Sequence, residues 1–146
     1  MISLSKGFIH GDPNDMNIVI NNDKEIYFID WQDCSISFKI YDLAILIFSL
    51  MSITMNSTQP MNFLEIGKRC LAGYVDGDKH SLNNVDISLL PIIVQTRAAL
   101  SLSVGFYSNQ YLDPSNVYLL HTQQTGWKIL EELRTNYDKY LENWIL

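Results

Sequence analysis

The eight residues His10-Gly11-Asp12-Pro13-Asn14-Asp15-Met16-Asn17 lie between an apolar Phe8-Ile9 pair and the apolar run Ile18-Val19-Ile20. Gly, Pro, Asn and Asp are turn formers, so a surface turn accounts for the composition of this loop. A calcium loop opens with a similar Asp-x-Asn spacing, but Met16 stands where a third oxygen ligand belongs and Asn17 where the turn needs Gly. A third pattern matches at every fixed position. It is H-x-D-x-x-x-x-N, in which the Asp meets an attacking hydroxyl and the Asn holds a magnesium ion on nucleotide phosphates. His10, Asp12 and Asn17 occupy those three positions.

One such match arises easily by chance, so a second carboxylate is needed, placed so that the chain folds it back onto the loop. Ile18-Val19-Ile20 and Ile26-Tyr27-Phe28-Ile29 are β-branched and aromatic runs separated by the turn formers Asn21-Asn22-Asp23-Lys24, which predicts a β-hairpin. Asp30 follows the second run directly, 18 residues beyond Asp12, where phosphoryl-transfer enzymes place a second magnesium ligand. Oxygen donors of this kind suit magnesium.

Beyond this point the pattern turns helical. Leu43, Leu46, Ile47, Leu50 and Met51 recur at helical spacing, with Asp42 placed to cap the helix N-terminus. A second helix is expected from near Pro60 to about Val75, and a third from Val85 to about Tyr111 with Pro91 early in it. After the break at Asp113-Pro114-Ser115-Asn116, one last amphipathic helix is expected to the C-terminus, with Trp127, Tyr137, Tyr140 and Trp144 packing it. The expected architecture is α+β and mainly helical, a polar loop and hairpin resting on about four helices.

Composition narrows the function classes. A length of 146 residues with 47% hydrophobic content suits one core. The net charge of -6 argues against a nucleic-acid polymer as partner, since such binding rests on many Lys and Arg. Cys34 and Cys70 are far apart and in no metal-like spacing, and His10, His80 and His121 are equally scattered, so we expect a reducing, cytoplasmic setting and no structural zinc. The apolar stretch Leu43 to Met55 is 13 residues, short of the roughly 20 a bilayer span needs, so no membrane partner is expected.

The motifs His10-Gly11-Asp12 with Asn17, Ile29-Asp30-Trp31 and Tyr41-Asp42-Leu43-Ala44 resemble those of the aminoglycoside phosphotransferase and choline kinase-like small-molecule kinases. Asn14 departs from that family's commoner loop, in which many members carry His. Within the family, Asn14-Asp15 and the segments Gln95–Gly105 and Tyr107–Leu133 resemble the branch acting on 5-hydroxylysine. The resemblance implies Asp12 as the catalytic base or hydroxyl-orienting carboxylate, Asn17 and Asp30 as magnesium ligands, and GTP or ATP as donor. It implies GTP and 5-hydroxylysine first, with choline, homoserine or an aminoglycoside as other acceptors. His10, Asp33 and Asp42 are candidate supporting residues: His10 through hydrogen bonds, Asp33 through water at the metal or as a turn cap, Asp42 as a helix cap that also bonds the loop backbone. For Arg97 a structural acid is the favoured partner over a substrate carboxylate.

No G-x-G-x-x-G occurs, and the nine residues before His10 are too few for a Gly-rich loop, a strand Lys for the phosphates and its helix Glu partner. Residues 1-146 therefore resemble the C-terminal, large lobe of a protein-kinase-like fold without the nucleotide-gripping small lobe. On that basis we expect a partial kinase domain, inactive alone. The alternative is a non-catalytic binding or regulatory module derived from such a kinase.

Overall fold

The computed structural model describes residues 3–145. Its front is built from two antiparallel strand pairs. The expected hairpin joins β2 (Ile18–Ile20) to β3 (Ile26–Phe28), with Ile18 opposite Phe28 and Ile20 opposite Ile26. Asn21 sets its turn. The Asn21 side-chain oxygen accepts from the backbone N–H of Asp23 and of Glu25, both at 2.9 Å, which mimics a backbone turn.

The second pair lay outside the sequence-based expectation: β1 (Lys6–Ile9) runs antiparallel to β4 (Ser35–Phe38), with Phe8 opposite Ile36. Strand alternation turns Ile9 into the core and leaves Phe8 and Ile36 facing outward. Phe8 stacks on Trp31 at a centroid distance of 6.0 Å.

Behind these strands lie five helices: α1 (Ile40–Met55), α2 (Phe63–Gly77), α3 (Asn84–Tyr107), α4 (Gln123–Thr135) and α5 (Tyr137–Asn143). The body of the protein is α1 and α3 packed together, with α2 against α1 and α4 against α3. Ile40, Leu43, Ala44, Ile47 and Met51 of α1 are fully buried, as an apolar stripe at three- and four-residue spacing requires. They meet Leu90, Val94 and Ala98 of α3 and Ile129 and Leu133 of α4 in one core. Trp144 closes its lower edge, with its indole N–H donating to the Leu64 carbonyl at 3.2 Å. The indole lies so close to α2 that a side chain at Gly67 would overlap it.

The start of α3 is tied to the start of the chain. Asn83 and Asp86 form a capping box, and the buried Asp86 carboxylate accepts from the N–H of Asn83 at 2.8 Å and of Ser5 at 3.0 Å. Those bonds hold β1 against the helical layer.

Four expectations need correction. Helix α1 starts at Ile40, so Asp42 sits inside its first turn and is not its cap. Pro91 is in the interior of α3, where it removes the N–H that would bond the Ile87 carbonyl; burial of Ile87, Leu90, Pro91 and Val94 holds the helix together there. The last helix is two helices, broken at Asn136, whose φ of -109° and ψ of 28° leave the helical region. Trp127 lies on the outer face of α4, 60% exposed, whereas Tyr140 and Trp144 are buried in the core.

The longest apolar helix is also not the one expected. Asn84–Leu112 forms one helical run, α3 plus a single π turn at Ser108–Leu112, long and apolar enough by length and composition to cross a membrane. In this fold it is the central helix, packed on α1 and α4, with Arg97 ion-paired at its middle.

Candidate active site

The loop between β1 and β2 is held from three directions. Gly11 has φ +93°, a conformation that favours glycine, and a Cβ there would run into the Asp33 carbonyl. The N–H groups of His10 and Gly11 donate to the two oxygens of Asp42, at 2.7 and 2.9 Å. A helix side chain thus satisfies loop donors that would otherwise be left without partners. The buried His10 ring spans the site: its Nδ1 accepts the Asp12 N–H at 3.3 Å and its Nε2 donates to the Ile29 carbonyl at 2.9 Å. That pair of bonds fixes one tautomer and links the loop to the strand leading to Asp30.

Both oxygens of Asp12 are occupied. Oδ1 takes the Arg97 Nη2–H at 3.1 Å and Oδ2 takes the Asn14 side-chain N–H at 2.7 Å. The partner of Arg97 is therefore Asp12, an acid of this chain, as the favoured expectation had it. The Arg97 Nε–H is buried and has no partner among the described residues.

Asn14 organises the loop as well, its side-chain oxygen accepting from the N–H of Met16 and of Asn17 at 2.8 and 3.3 Å. The side-chain amide of Asn17 donates to the Asp12 carbonyl at 2.9 Å, which leaves its oxygen without a donor among the described residues. The Asn17 carbonyl accepts the Ile29 N–H at 3.0 Å, so one end of the hairpin brings Asn17 beside Ile29 and the following Asp30.

Asp30 adopts a left-handed conformation (φ 62°, ψ 66°), which Asp tolerates better than most residues. One of its oxygens accepts from Gln32 at 2.8 Å; the other has no donor among the described residues. The free oxygens of Asn17 and Asp30 are hard donors from two residues, a set that fits magnesium, which keeps waters and takes substrate phosphates as further ligands. No group of three or more His, Cys, Asp or Glu side chains suited to a metal occurs among the described residues. Asp33 lies in a short 3-10 turn, its backbone against Gly11, and its side chain makes no hydrogen bond among the described residues.

Next to the Asp12–Arg97 pair opens a cavity of about 410 Å³. Arg97, Asp15 and Ser49 line it, with Ile45, Phe48 and Leu100 among its apolar walls. Tyr118 and His121, stacked at 5.4 Å with ring planes 9° apart, form another wall. Asp15 and Ser49 are locked together, the Asp15 N–H donating to Ser49 Oγ at 2.9 Å and Ser49 Oγ donating to Asp15 Oδ1 at 2.6 Å. Neither stands among the residues expected from sequence. One signal was available. Asp42 and Ser49 fall seven residues apart, two turns along one face of a largely apolar helix, and both meet the loop, whereas Ser52 bonds Thr125 of α4.

The model of the phosphotransferase enzyme family (APH) matches residues 2–74, half of the chain and all of the loop, hairpin and α1 segment. The chain belongs to this family. It is similar to the hydroxylysine kinase of Mus musculus, 31% identical over 133 residues, which cover 85% of this chain and 33% of that protein. Similar matches join it to the hydroxylysine kinases of Bos taurus (29% over 133 residues) and Xenopus laevis (32% over 134 residues), covering 85% of this chain and 33% and 34% of theirs. The chain thus spans about a third of the length of these relatives. No solved structure matches it.

Proposed function

We propose that this chain carries the acceptor and metal side of a small-molecule kinase that moves the γ-phosphoryl group of a nucleotide onto a hydroxyl of an amino-acid-like acceptor. GTP is the donor we favour and 5-hydroxylysine the acceptor, in keeping with the hydroxylysine kinases it is similar to. The observation that carries this reading is Asp12, held by Arg97 and Asn14 beside a cavity that Arg97 lines, while the hairpin brings Asn17 and Asp30 to one end of the same loop.

Asp12 aligns the acceptor hydroxyl and takes its proton as the new oxygen–phosphorus bond forms and the bond from phosphorus to the bridging oxygen breaks, releasing the nucleoside diphosphate. Asn17 and Asp30 would hold magnesium, which would offset the charge of the phosphates. His10 and Asp42 keep the loop in register with the metal side. We place the nucleotide-gripping small lobe in a segment outside residues 1-146, with this chain as the large-lobe portion.

The experiment is a phosphate-transfer assay on the full-length protein, with GTP and ATP against 5-hydroxylysine, choline, homoserine and an aminoglycoside. Asp12→Asn lowers kcat by at least about a hundredfold, in the range general-base and positioning groups contribute. Unchanged turnover in that variant ends the assignment.

A further inference from the structure

We infer that Asp15 is the residue that selects the acceptor, by binding a side-chain ammonium carried on the same molecule as the reacting hydroxyl. The inference rests on the kinase reading above and adds to it the residue that holds the acceptor's side-chain ammonium.

Three groups facing the cavity can carry charge: Asp15, Arg97 and His121. The Arg97 charge is met by Asp12 at 3.1 Å. His121 stacks on Tyr118 at the exposed rim. The Asp15 carboxylate forms no ion pair among the described residues, so the cavity keeps one negative charge without a counterion. The Asp12 charge is already met by Arg97, and in the kinase reading its remaining lone pairs go to the acceptor hydroxyl, so the ammonium falls to Asp15.

The Asp15 carboxylate is also aimed. Its Oδ1 is pinned by the Ser49 hydroxyl, and Ser49 is anchored in α1 and only 6% exposed. The Asp15 N–H closes the same ring onto Ser49 Oγ, so backbone and side chain are held at once. Oδ2 is left with no donor among the described residues. A charge-assisted N–H···O bond to such a fixed oxygen is stronger than one between neutral groups and costs little ordering. The same cavity is walled by Ile45, Phe48, Leu100 and Val104, which suit methylenes. A flexible aliphatic chain ending in an ammonium fits this combination. A neutral polyol would leave the carboxylate unpaired.

The test is titration calorimetry on the full-length protein without nucleotide, using 5-hydroxylysine, lysine and 2-amino-5-hydroxyhexanoate. The last keeps the hydroxyl and lacks the terminal ammonium. Wild type should bind the two ammonium probes at least about tenfold more tightly than the hexanoate, and Asp15→Asn should level the three affinities. Ser49→Ala should reduce the preference without abolishing it, since the charge stays and its aim is lost. Equal affinities in wild type overturn the assignment without any variant, and so does a preference that survives Asp15→Asn in folded protein. The kinase reading fails separately, if 5-hydroxylysine binds with the expected preference but no Asp12-dependent phosphate transfer follows.

Discussion

Replacing Asp42 by Asn is the most informative perturbation of the loop. In the native protein each Asp42 oxygen accepts one backbone N–H, from His10 at 2.7 Å and from Gly11 at 2.9 Å. Asparagine has the same size but one of its two heads is an NH₂ group, which turns a donor toward a donor. One charge-assisted bond is lost, about 1.5–3 kcal/mol, and the facing N–H is left without a partner, which costs about a further 1–3 kcal/mol if no water enters. Asp42 is half-buried, so water recovers part of this, and we expect about 2–4 kcal/mol of lost stability. The loss falls on the His10–Asn17 loop. Turnover should drop by about tenfold or more while the KM for the acceptor stays within about threefold, because the proposed acceptor cavity is lined by other residues. Urea denaturation gives the first quantity and steady-state kinetics on the full-length protein the second. A variant within about 0.5 kcal/mol of wild type, with unchanged kcat, would refute the view that Asp42 holds the loop.

Gly11→Ala should destabilise by about 2 kcal/mol or more in chemical denaturation, since φ is +93° and the new methyl group meets the Asp33 carbonyl. Trp144→Ala empties a fully buried site and removes the bond to Leu64, for an expected loss of about 3–5 kcal/mol, read from the denaturation midpoint. Burial pushes the Cys70 thiol up to about 11, while Cys34 is exposed, so near pH 8 iodoacetamide should label Cys34 far faster, by roughly a hundredfold or more from thiolate fraction and access together. Tyr74 is likewise pushed up to about 12, by burial first and then by Asp42, Asp78 and Asp86. Both groups ionise earlier in the unfolded chain than in the folded one. Their stabilisation is complete below about pH 9 and should be lost as pH rises from there to about 12, a fall that denaturation at a series of pH values will show.

The hairpin and the α1 stripe were legible because their periodicities are strong and local. The β1–β4 pair was not. Its partners lie 26 to 32 residues apart, and Ser35-Ile36-Ser37-Phe38 is a four-residue alternation that becomes a strand only when Lys6–Ile9 lies beside it. Asn136 breaks the last helix without a proline or glycine to announce it, because tertiary packing of Tyr140 and Trp144 decides the angle there.

At the site, the spacing of His10, Asp12 and Asn17 carried the loop, and Asp30 followed from the hairpin. Asp42 was expected to cap its helix and to bond the loop backbone; the helix starts two residues earlier, so the cap fails, and the bonds to His10 and Gly11 are present. Arg97 could not be paired from sequence. Nothing local marks its partner, and α3 must dock on α1 before the two meet.

That pairing has a consequence for how the protein can be divided. The loop, the proposed metal-side residues Asn17 and Asp30, and Asp42 all fall within the first 42 residues, yet the guanidinium that grips Asp12 comes from 85 residues further along the chain. A shorter N-terminal piece that keeps every motif would keep the spelling of the site and lose the hold on its central carboxylate. The smallest unit that can orient Asp12 therefore extends through the middle of α3.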